Sequence, residues 1–364
     1  AIPVRLVHDG VAGGAYAGAR ALTGAVVRAG AGAISLSRGD DVRSLSQHPS
    51  GAVALAVLNG LWGDTLLRDA SSLATTMAVR CHRRDVALDP ESLRAAYPDA
   101  TRRLVVFVHG LCETEDAWRA HSDRSRPYGD RLASELHYTP VYIRYNSGLH
   151  VSDNGRRLAL ILDALTRCWP VDVAEVSLVG HSMGGLVIRS ACHYAATHRW
   201  RERVRHVFML GAPHRGAPLE RAVNAAGHAA SLLPETRPFA APIRIRSAGI
   251  KDLRYGYVVD EDWGGHDPDA FRDNTATVVP YLETASHYFV SATLARDPDD
   301  PLGRLVGDLL VLHRSAWSQA QRHERLQFPV GQYRHLGGAN HFDLLNHPAV
   351  YAQIEGWLRA DQRP

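Results

Sequence analysis

A serine among glycines is the strongest chemical signal in this chain. Gly180-His181-Ser182-Met183-Gly184-Gly185 follows an apolar run over residues 173–179 and precedes a segment with a helical pattern. A nucleophilic serine needs its oxygen exposed at a tight strand-to-helix turn, where the flanking residues must be small. The pattern therefore predicts covalent catalysis by Ser182, with the Met183 N–H at a helix N-terminus as an oxyanion donor. The alternative is an incidental serine in a glycine-rich turn.

A serine hydroxyl is a weak nucleophile and needs a base, which a carboxylate must orient. The chain contains 20 histidines, so most of them have other roles. After a strand–serine–helix turn, the expected chain order is serine, acid, histidine. We predict that His341, in a glycine-containing loop before the last predicted helix, is the base. His335 and His347 are the alternatives, and we interpret them as a strand residue and a helix start.

The acid is expected after the strand predicted at residues 287–294. Apolar neighbours flank Asp308 and could half-bury it beside a histidine, where it would fix the imidazole tautomer. We therefore predict Asp308 as the acid. Asp297 is the main alternative, in a proline-rich turn that also contains Asp299 and Asp300.

A second oxyanion donor is expected after the first core strand, which we predict at residues 104–109. The loop there reads His109-Gly110-Leu111-Cys112. Gly110 lets the backbone turn sharply, so the Leu111 N–H can point at the site. His109 is interpreted as a structural ring beneath the nucleophile's turn. The predicted oxyanion hole thus consists of the N–H groups of Leu111 and Met183.

Strands and helices that could position these residues alternate from residue 104 onward. Continuous apolar runs are typical of strands buried on both faces, and their alternation with helices favours a mostly parallel sheet covered on both faces. The fold class is therefore α/β. The predicted strands are residues 104–109, 140–145, 173–179, 204–210 and 287–294, and the helices are 128–137, 153–168, 183–195 and 348–358. Residues 214–286 interrupt this rhythm and are predicted to be a lid or cap insertion, with a helix over 219–233.

The first hundred residues have a different character. They are rich in Gly and Ala, with helical patterns over residues 52–58 and 61–79, and residues 83–101 form a polar linker. We expect an N-terminal helical extension, residues 1–100, that packs on a catalytic domain of residues 101–364. A cap, a membrane-surface element or a partner-binding element is the alternative.

Several motifs carry a family resemblance. Residues 105–111 (Val-Val-Phe-Val-His-Gly-Leu) resemble the oxyanion loop of bacterial lipases and related α/β-hydrolases, and residues 180–185 resemble their nucleophile elbow. Residues 210–218 look like the next segment in lipases and in GPI-inositol-deacylase-like proteins. Residues 307–311 and His341 are similar to the acid and histidine motifs, although Leu309 stands where the lipase motif usually has Gly. The resemblance covers about residues 103–360 and implies an α/β-hydrolase fold, ester hydrolysis, and oxyanion donors at Leu111 and Met183.

Composition and charge exclude other classes. The 364 residues are 45% hydrophobic and carry a formal charge of +3, from 41 Lys and Arg against 38 Asp and Glu. This balance does not favour nucleic acid as a partner, since nucleic-acid binding usually needs a concentrated basic face. The acidic residues 260–262, Asp267 and Asp269 are interpreted as a solvated loop. We expect neither a cofactor nor a metal ion. No apolar run of about 20 residues occurs, the nearest being residues 51–63, so we predict no transmembrane helix.

The sequence thus predicts a serine carboxylester hydrolase, an esterase or lipase, acting on a small-molecule or lipid-like ester. Acyl transfer, hydrolysis of a polyester, lactone or thioester, and non-catalytic binding on a hydrolase fold are the alternatives. Peripheral contact with a lipid or polymer surface stays open, as does the oligomeric state. The disulfide state of the four cysteines is also left open. We expect a cytoplasmic protein, with secretion as the alternative.

Overall fold

The computed structural model describes residues 42–120, 122, 125–217, 220, 246–267, 274–293 and 332–361. Within these ranges the strands are β1 Ala78–Cys81, β2 Arg84–Val86, β3 Arg103–Val108, β4 Thr139–Arg144, β5 Glu175–His181, β6 Val204–Leu210, β7 Ser286–Thr293 and β8 Tyr333–Gly337. The α-helices are α1 Val42–Gln47, α2 Pro49–Arg68, α3 Pro90–Ala96, α4 Tyr128–Leu136, α5 Val151–Cys168, α6 Met183–Tyr194, α7 Ala248–Asp252 and α8 Pro348–Asp361. Short 3₁₀ helices are Glu115–Arg119, Arg199–Arg203, Asp260–Asp262 and His341–Leu345.

The described strands form one sheet in the order β2-β1-β4-β3-β5-β6-β7-β8. Every neighbouring pair from β4 to β8 is parallel, whereas β1 pairs antiparallel with both β2 and β4. Parallel strands end at the same edge of the sheet, so the loops that follow β3, β5, β6, β7 and β8 meet at one edge. The predicted mostly parallel sheet is confirmed.

Both faces of the sheet are covered, as β3 demonstrates. Leu104, Val106 and Val108 pack in one core with residues of α5 and α6. Val105 and Phe107 point to the other side, into a second core with residues of α4 and α8. Because successive strand side chains alternate between faces, a continuous apolar run is what a strand between two helical layers requires. The predicted layers, with helices on both faces, are therefore confirmed.

The predicted linker over residues 83–101 is wrong, and so is the helix predicted through residue 79. Helix α2 ends at Arg68, and the chain then contributes β1 and β2 to the edge of the sheet. The sheet therefore includes residues before position 101, where we expected the catalytic domain to begin. These short strands lack an apolar alternation because the inward position Arg80 is polar, and it is buried through ion pairs.

By length and composition alone, helix α2 could cross a membrane. In its most apolar 18-residue stretch, 39% of the residues are buried inside the protein. Its glycine-bearing side packs on the α/β core. The Ser247 hydroxyl donates to the Gly60 carbonyl at 2.6 Å, and Asn146 Nδ2 donates to the Gly63 carbonyl at 3.0 Å. The helix predicted over residues 219–233 of the lid lies outside the described residues, with the exception of Glu220.

A buried ion-pair cluster joins β1 and β4 to the 3₁₀ helix after β3. The Glu115 carboxylate accepts from Arg144 Nε and Nη2 at 2.5 and 2.6 Å, and from Arg80 Nε at 3.0 Å. All three side chains are almost fully buried. Burial alone would raise the pKa of Glu115, but the two guanidinium groups outweigh it and lower that pKa.

We expect Glu115→Gln to lower the free energy of unfolding at pH 7 by about 3 kcal/mol, because the buried Arg144 loses its counter-charge and Arg80 keeps only the exposed Asp85. A lowered carboxylate pKa gives stability that is present above the ordinary pKa of glutamate and lost as the pH falls through the lowered value. The difference between variant and wild type should therefore shrink below about pH 4. Chemical denaturation at several pH values measures it, and a pH-independent difference would contradict the assignment.

Candidate active site

Ser182 occupies a strained turn between β5 and α6. Its φ and ψ are 51° and −122°, a left-handed conformation that is costly for any residue except glycine. The turn is fixed at both sides, since the Ser182 N–H donates to the Leu210 carbonyl at 2.8 Å and its carbonyl accepts the Gly185 N–H at 3.0 Å. The serine side chain is partly exposed at the tip. This is the geometry that the sequence predicted for a nucleophile.

Close backbone approach explains the glycines of the turn. A Cβ at Gly184 would lie 2.3 Å from the Val108 carbonyl oxygen and 2.5 Å from that of His109. A Cβ at Gly180 would lie 2.6 Å from the backbone nitrogen of Gly185. Helix α6 can therefore begin directly against the end of β3 only because these side chains are absent. The result is that the loop after β3 adjoins the serine.

The loop after β3 lies against Ser182. A Cβ at Gly110 would be 3.1 Å from the Ser182 Cβ, so only a glycine leaves ordinary space there. The carbonyl of Gly110 is held by two groups, His109 Nδ1 at 2.8 Å and the Glu113 N–H at 3.4 Å. The carbonyl of Gly110 and the N–H of Leu111 belong to one planar peptide and point in opposite directions. Holding the carbonyl therefore sets the direction of the Leu111 N–H, the predicted donor.

Helix α2 supports the same loop from outside. Gly60 adjoins Cys112, where an added Cβ would lie 2.3 Å from the Cys112 sulfur. The Cys112 N–H donates to the Ser147 hydroxyl at 3.1 Å, and Cys112 itself has a φ of 59°. Burial raises the pKa of the Cys112 thiol to about 12, so it is not a nucleophile at neutral pH. Each of the four cysteines in the chain is a free thiol.

His341 lies at the same edge, at the start of the 3₁₀ helix after β8. Its ring centroid is 4.7 Å from that of His181, the residue preceding Ser182. A Cβ at Gly211, which follows β6 with a φ of +65°, would be 2.9 Å from His341 Cε1. The Asn340 side chain caps this helix by accepting the N–H groups of the next turn. The ring is buried and held in place beside the nucleophile's turn.

The alternative histidines have structural contacts. His335 lies on β8, with Nδ1 3.0 Å from the Ser291 hydroxyl and Nε2 3.0 Å from the Thr293 hydroxyl. His347 precedes α8, and its Nδ1 accepts the Ala349 N–H at 3.2 Å. His335 is thus a strand residue and His347 a helix start, as the sequence indicated.

The structure brings Ser182, Met183, Leu111 and His341 together at the carboxyl edge of the parallel sheet. Asp308, the predicted acid, lies outside the described residues. So do Asp297, Asp299 and Asp300. These aspartates follow β7, whose carboxyl end is at the same edge. Among the described residues, no group of three or more His, Cys, Asp and Glu side chains is placed to hold a metal ion.

Sequence reasoning missed Glu113, whose carboxylate lies inside this site. Burial alone would raise its pKa, but His181, the Gly110 N–H and His109 together outweigh burial and lower that pKa. It also missed the contact of α2 with the oxyanion loop. The signal for Glu113 is weak, a single acidic residue two positions after Leu111, because nothing in the spacing reveals that its partner is 68 residues away.

Comparison with known proteins agrees with this geometry. Residues 99–263 match the family model described as the PGAP1-like alpha/beta domain. A triacylglycerol lipase of Burkholderia plantarii is 31% identical over 140 residues, 36% of this chain and 35% of that protein. One of Pseudarthrobacter phenanthrenivorans is 32% identical over 126 residues, 32% of this chain and 35% of that protein. The chain thus spans about a third of the length of these curated relatives.

Among solved structures, the mature lipase BlEst2 of Bacillus licheniformis aligns with 70% of this chain and 91% of its own, at 19% identity and a TM-score of 0.45. The sheet topology and the strand–serine–helix turn are those of the α/β-hydrolase fold. In sequence the chain is lipase- or esterase-like, most directly over the segment that matches the PGAP1-like domain. The resemblance inferred from the motifs is confirmed.

Substitution of two helical glycines by alanine tests the close approach of α6 to β3, one glycine lying at the contact and the other serving as a control. Gly184→Ala should lower the free energy of unfolding by about 3 kcal/mol, since the new methyl group would overlap two carbonyl oxygens. Gly356→Ala in α8 is the control, where the added Cβ meets no atom within 4 Å. It should raise stability by about 0.5–1 kcal/mol through its helix propensity. Thermal denaturation compares them, and equal effects at the two sites would contradict the packing.

Proposed function

We propose that the chain hydrolyses carboxylic esters by covalent catalysis, with Ser182 as nucleophile, His341 as base and Asp308 as the acid that orients it. The observation that carries this proposal is Ser182 itself. It stands at a strained turn, at the N-terminus of α6, with the glycine loop after β3 against its Cβ. A strained, partly exposed serine at a helix N-terminus is how α/β-hydrolases present their nucleophile.

In the proposed reaction, His341 removes the Ser182 proton as the oxygen attacks the ester carbonyl. The negative charge that develops on the carbonyl oxygen is stabilised by the N–H groups of Leu111 and Met183, helped by the dipole of α6. The alcohol leaves with the proton from His341. Water then attacks the acyl-enzyme with His341 again as base. The carboxylic acid product is released, and His341 returns the proton to the Ser182 oxygen.

The substrate class rests on the relatives. Both are named triacylglycerol lipases, which supports a lipid-like carboxylic ester as the substrate of this chain.

Ser182→Ala tests the nucleophile. Hydrolysis of p-nitrophenyl esters of graded acyl length should fall by at least about 10⁴-fold, because no other group can form the acyl-enzyme. The matched control is Ser190→Ala, about two turns further along α6 and buried against Gly155. It should keep kcat within about twofold of wild type. Equal hydrolysis by wild type and Ser182→Ala would refute the proposed mechanism.

Paired substitutions test the base and the acid. His341→Gln should reduce kcat by at least about 10⁴-fold, whereas His335→Gln should reduce it far less, because its ring bonds two strand hydroxyls instead of the nucleophile's turn. Asp308→Asn should reduce kcat by about 10⁴-fold through loss of the correct imidazole tautomer. Asp297→Asn is its control. A large loss in Asp297→Asn with none in Asp308→Asn would move the acid to Asp297.

A further inference from the structure

A buried carboxylate–imidazole pair lies directly behind the candidate nucleophile. Glu113, in the loop after β3, accepts the Gly110 N–H through Oε2 at 2.6 Å. Its carboxylate is also 3.0 Å from His181 Nδ1, on the strand that ends at Ser182. The Glu113 side chain is 10% exposed and that of His181 is 0% exposed. A carboxylate buried this fully against an imidazole needs a function or a strong structural reason.

The second ring nitrogen of His181 extends the connection. Nε2 lies 3.2 Å from the backbone carbonyl oxygen of His341. A carbonyl can only accept, so Nε2 carries a proton and donates it. The contact between Nδ1 and Glu113 also holds one proton, since a bare ring nitrogen and a carboxylate are both acceptors and would repel each other. The pair therefore links three backbone segments, at Gly110, at the end of β5 and at His341.

We infer that Glu113 and His181 are positioning residues for acyl transfer, which together hold the oxyanion loop and the His341 loop in register with Ser182. This inference rests on the proposed function and adds to it residues that do not touch the substrate. Glu113 fixes the peptide before Gly110, and the contacts to the Gly110 carbonyl fix the peptide after it. Both peptides beside the glycine are thus held, which sets where the Leu111 N–H points.

The position of the oxyanion donor is the critical property of this loop. Gly110 has almost no free space between Ser182 and Glu113, because an added Cβ would lie 3.1 and 3.0 Å from their side-chain atoms. An oxyanion donor acts only when it points at the charge that develops in the transition state. A displacement of about 1 Å at such a site can cost about 10²-fold in rate. Loss of the pair should therefore lower kcat and leave ground-state substrate binding almost unchanged.

Glu115 is a control that the chain itself offers. It is two residues further on and equally buried in ion pairs, but its partners Arg80 and Arg144 lie on β1 and β4. Glu115→Gln should lower thermal stability and keep kcat within about twofold. A merely structural role for Glu113 would make Glu113→Ala behave in the same way.

The experiment measures kcat, KM and the Kd of a boronic acid transition-state analogue. Glu113→Ala should lower kcat about 10²-fold with KM within about threefold, and should weaken the boronic acid by the same factor as kcat. Glu113→Gln keeps an acceptor for Gly110 and should lose only about tenfold. If Glu113→Ala does not fold, the Gln variant and the His181 variants below provide the same comparison. A rise in KM at unchanged kcat would overturn the inference.

Two substitutions of His181 separate its two links. His181→Asn places an amide N–H near the Nδ1 position and keeps the donor to Glu113, whereas His181→Gln places one near Nε2 and keeps the donor to the His341 carbonyl. His181→Gln should lose as much kcat as Glu113→Ala, and the double variant Glu113→Ala/His181→Gln should lose no more than either, because they break one link. Fully additive losses would overturn the inference.

An NMR readout separates failure of the inference from failure of the proposed function. Wild type and Ser182→Ala are assayed first, and equal activity counts against the proposed function alone. In protein with ¹⁵N-labelled histidine, the His181 Nδ1 proton should give a downfield signal in wild type and in Ser182→Ala, and none in Glu113→Ala. If that signal persists in Glu113→Ala, the pair does not exist and the inference fails, whatever the protein hydrolyses.

Discussion

The close approach of α6 to the end of β3 is the constraint on which the site depends. Gly184 lies against two carbonyl oxygens of β3 and the following residue, and the approach forces Ser182 into a left-handed turn. The sheet on either side must be rigid to hold such a turn, and two apolar cores provide that rigidity. The strained backbone of Ser182 is therefore held by the two apolar cores on either side of the sheet, which contain many more residues than the turn itself.

The parallel strands bring residues that are far apart in the sequence to the same edge of the sheet. Leu111, Ser182 and His341 are separated by scores of residues, yet each follows a strand whose carboxyl end lies at the same edge. The buried Glu113–His181 contact adds a polar link between these loops. Helix α2 closes the arrangement from outside, since Gly60 adjoins Cys112 in the oxyanion loop. The site is thus assembled by the sheet and held by contacts among its loops.

Much of this could be predicted from the sequence. Strand β3 is a continuous apolar run after Arg103, and the Ser182 turn carries its own glycine signature, so local patterns were sufficient. Strands β1 and β2 were missed because Arg80 is buried through Glu115, and burial of that kind leaves no apolar period. Glu113 was missed because its partner is distant in sequence. Contacts between polar groups on different strands depend on the tertiary fold, which local patterns do not encode.

Reaction of the protein with a fluorophosphonate, followed by peptide mass spectrometry, tests the central claim most directly. A fluorophosphonate forms a stable adduct only with a serine that is activated by a base and faces an oxyanion hole. The account predicts an adduct on the peptide containing Ser182, and its loss in Ser182→Ala. No adduct, or an adduct on a different serine that persists in Ser182→Ala, would contradict it.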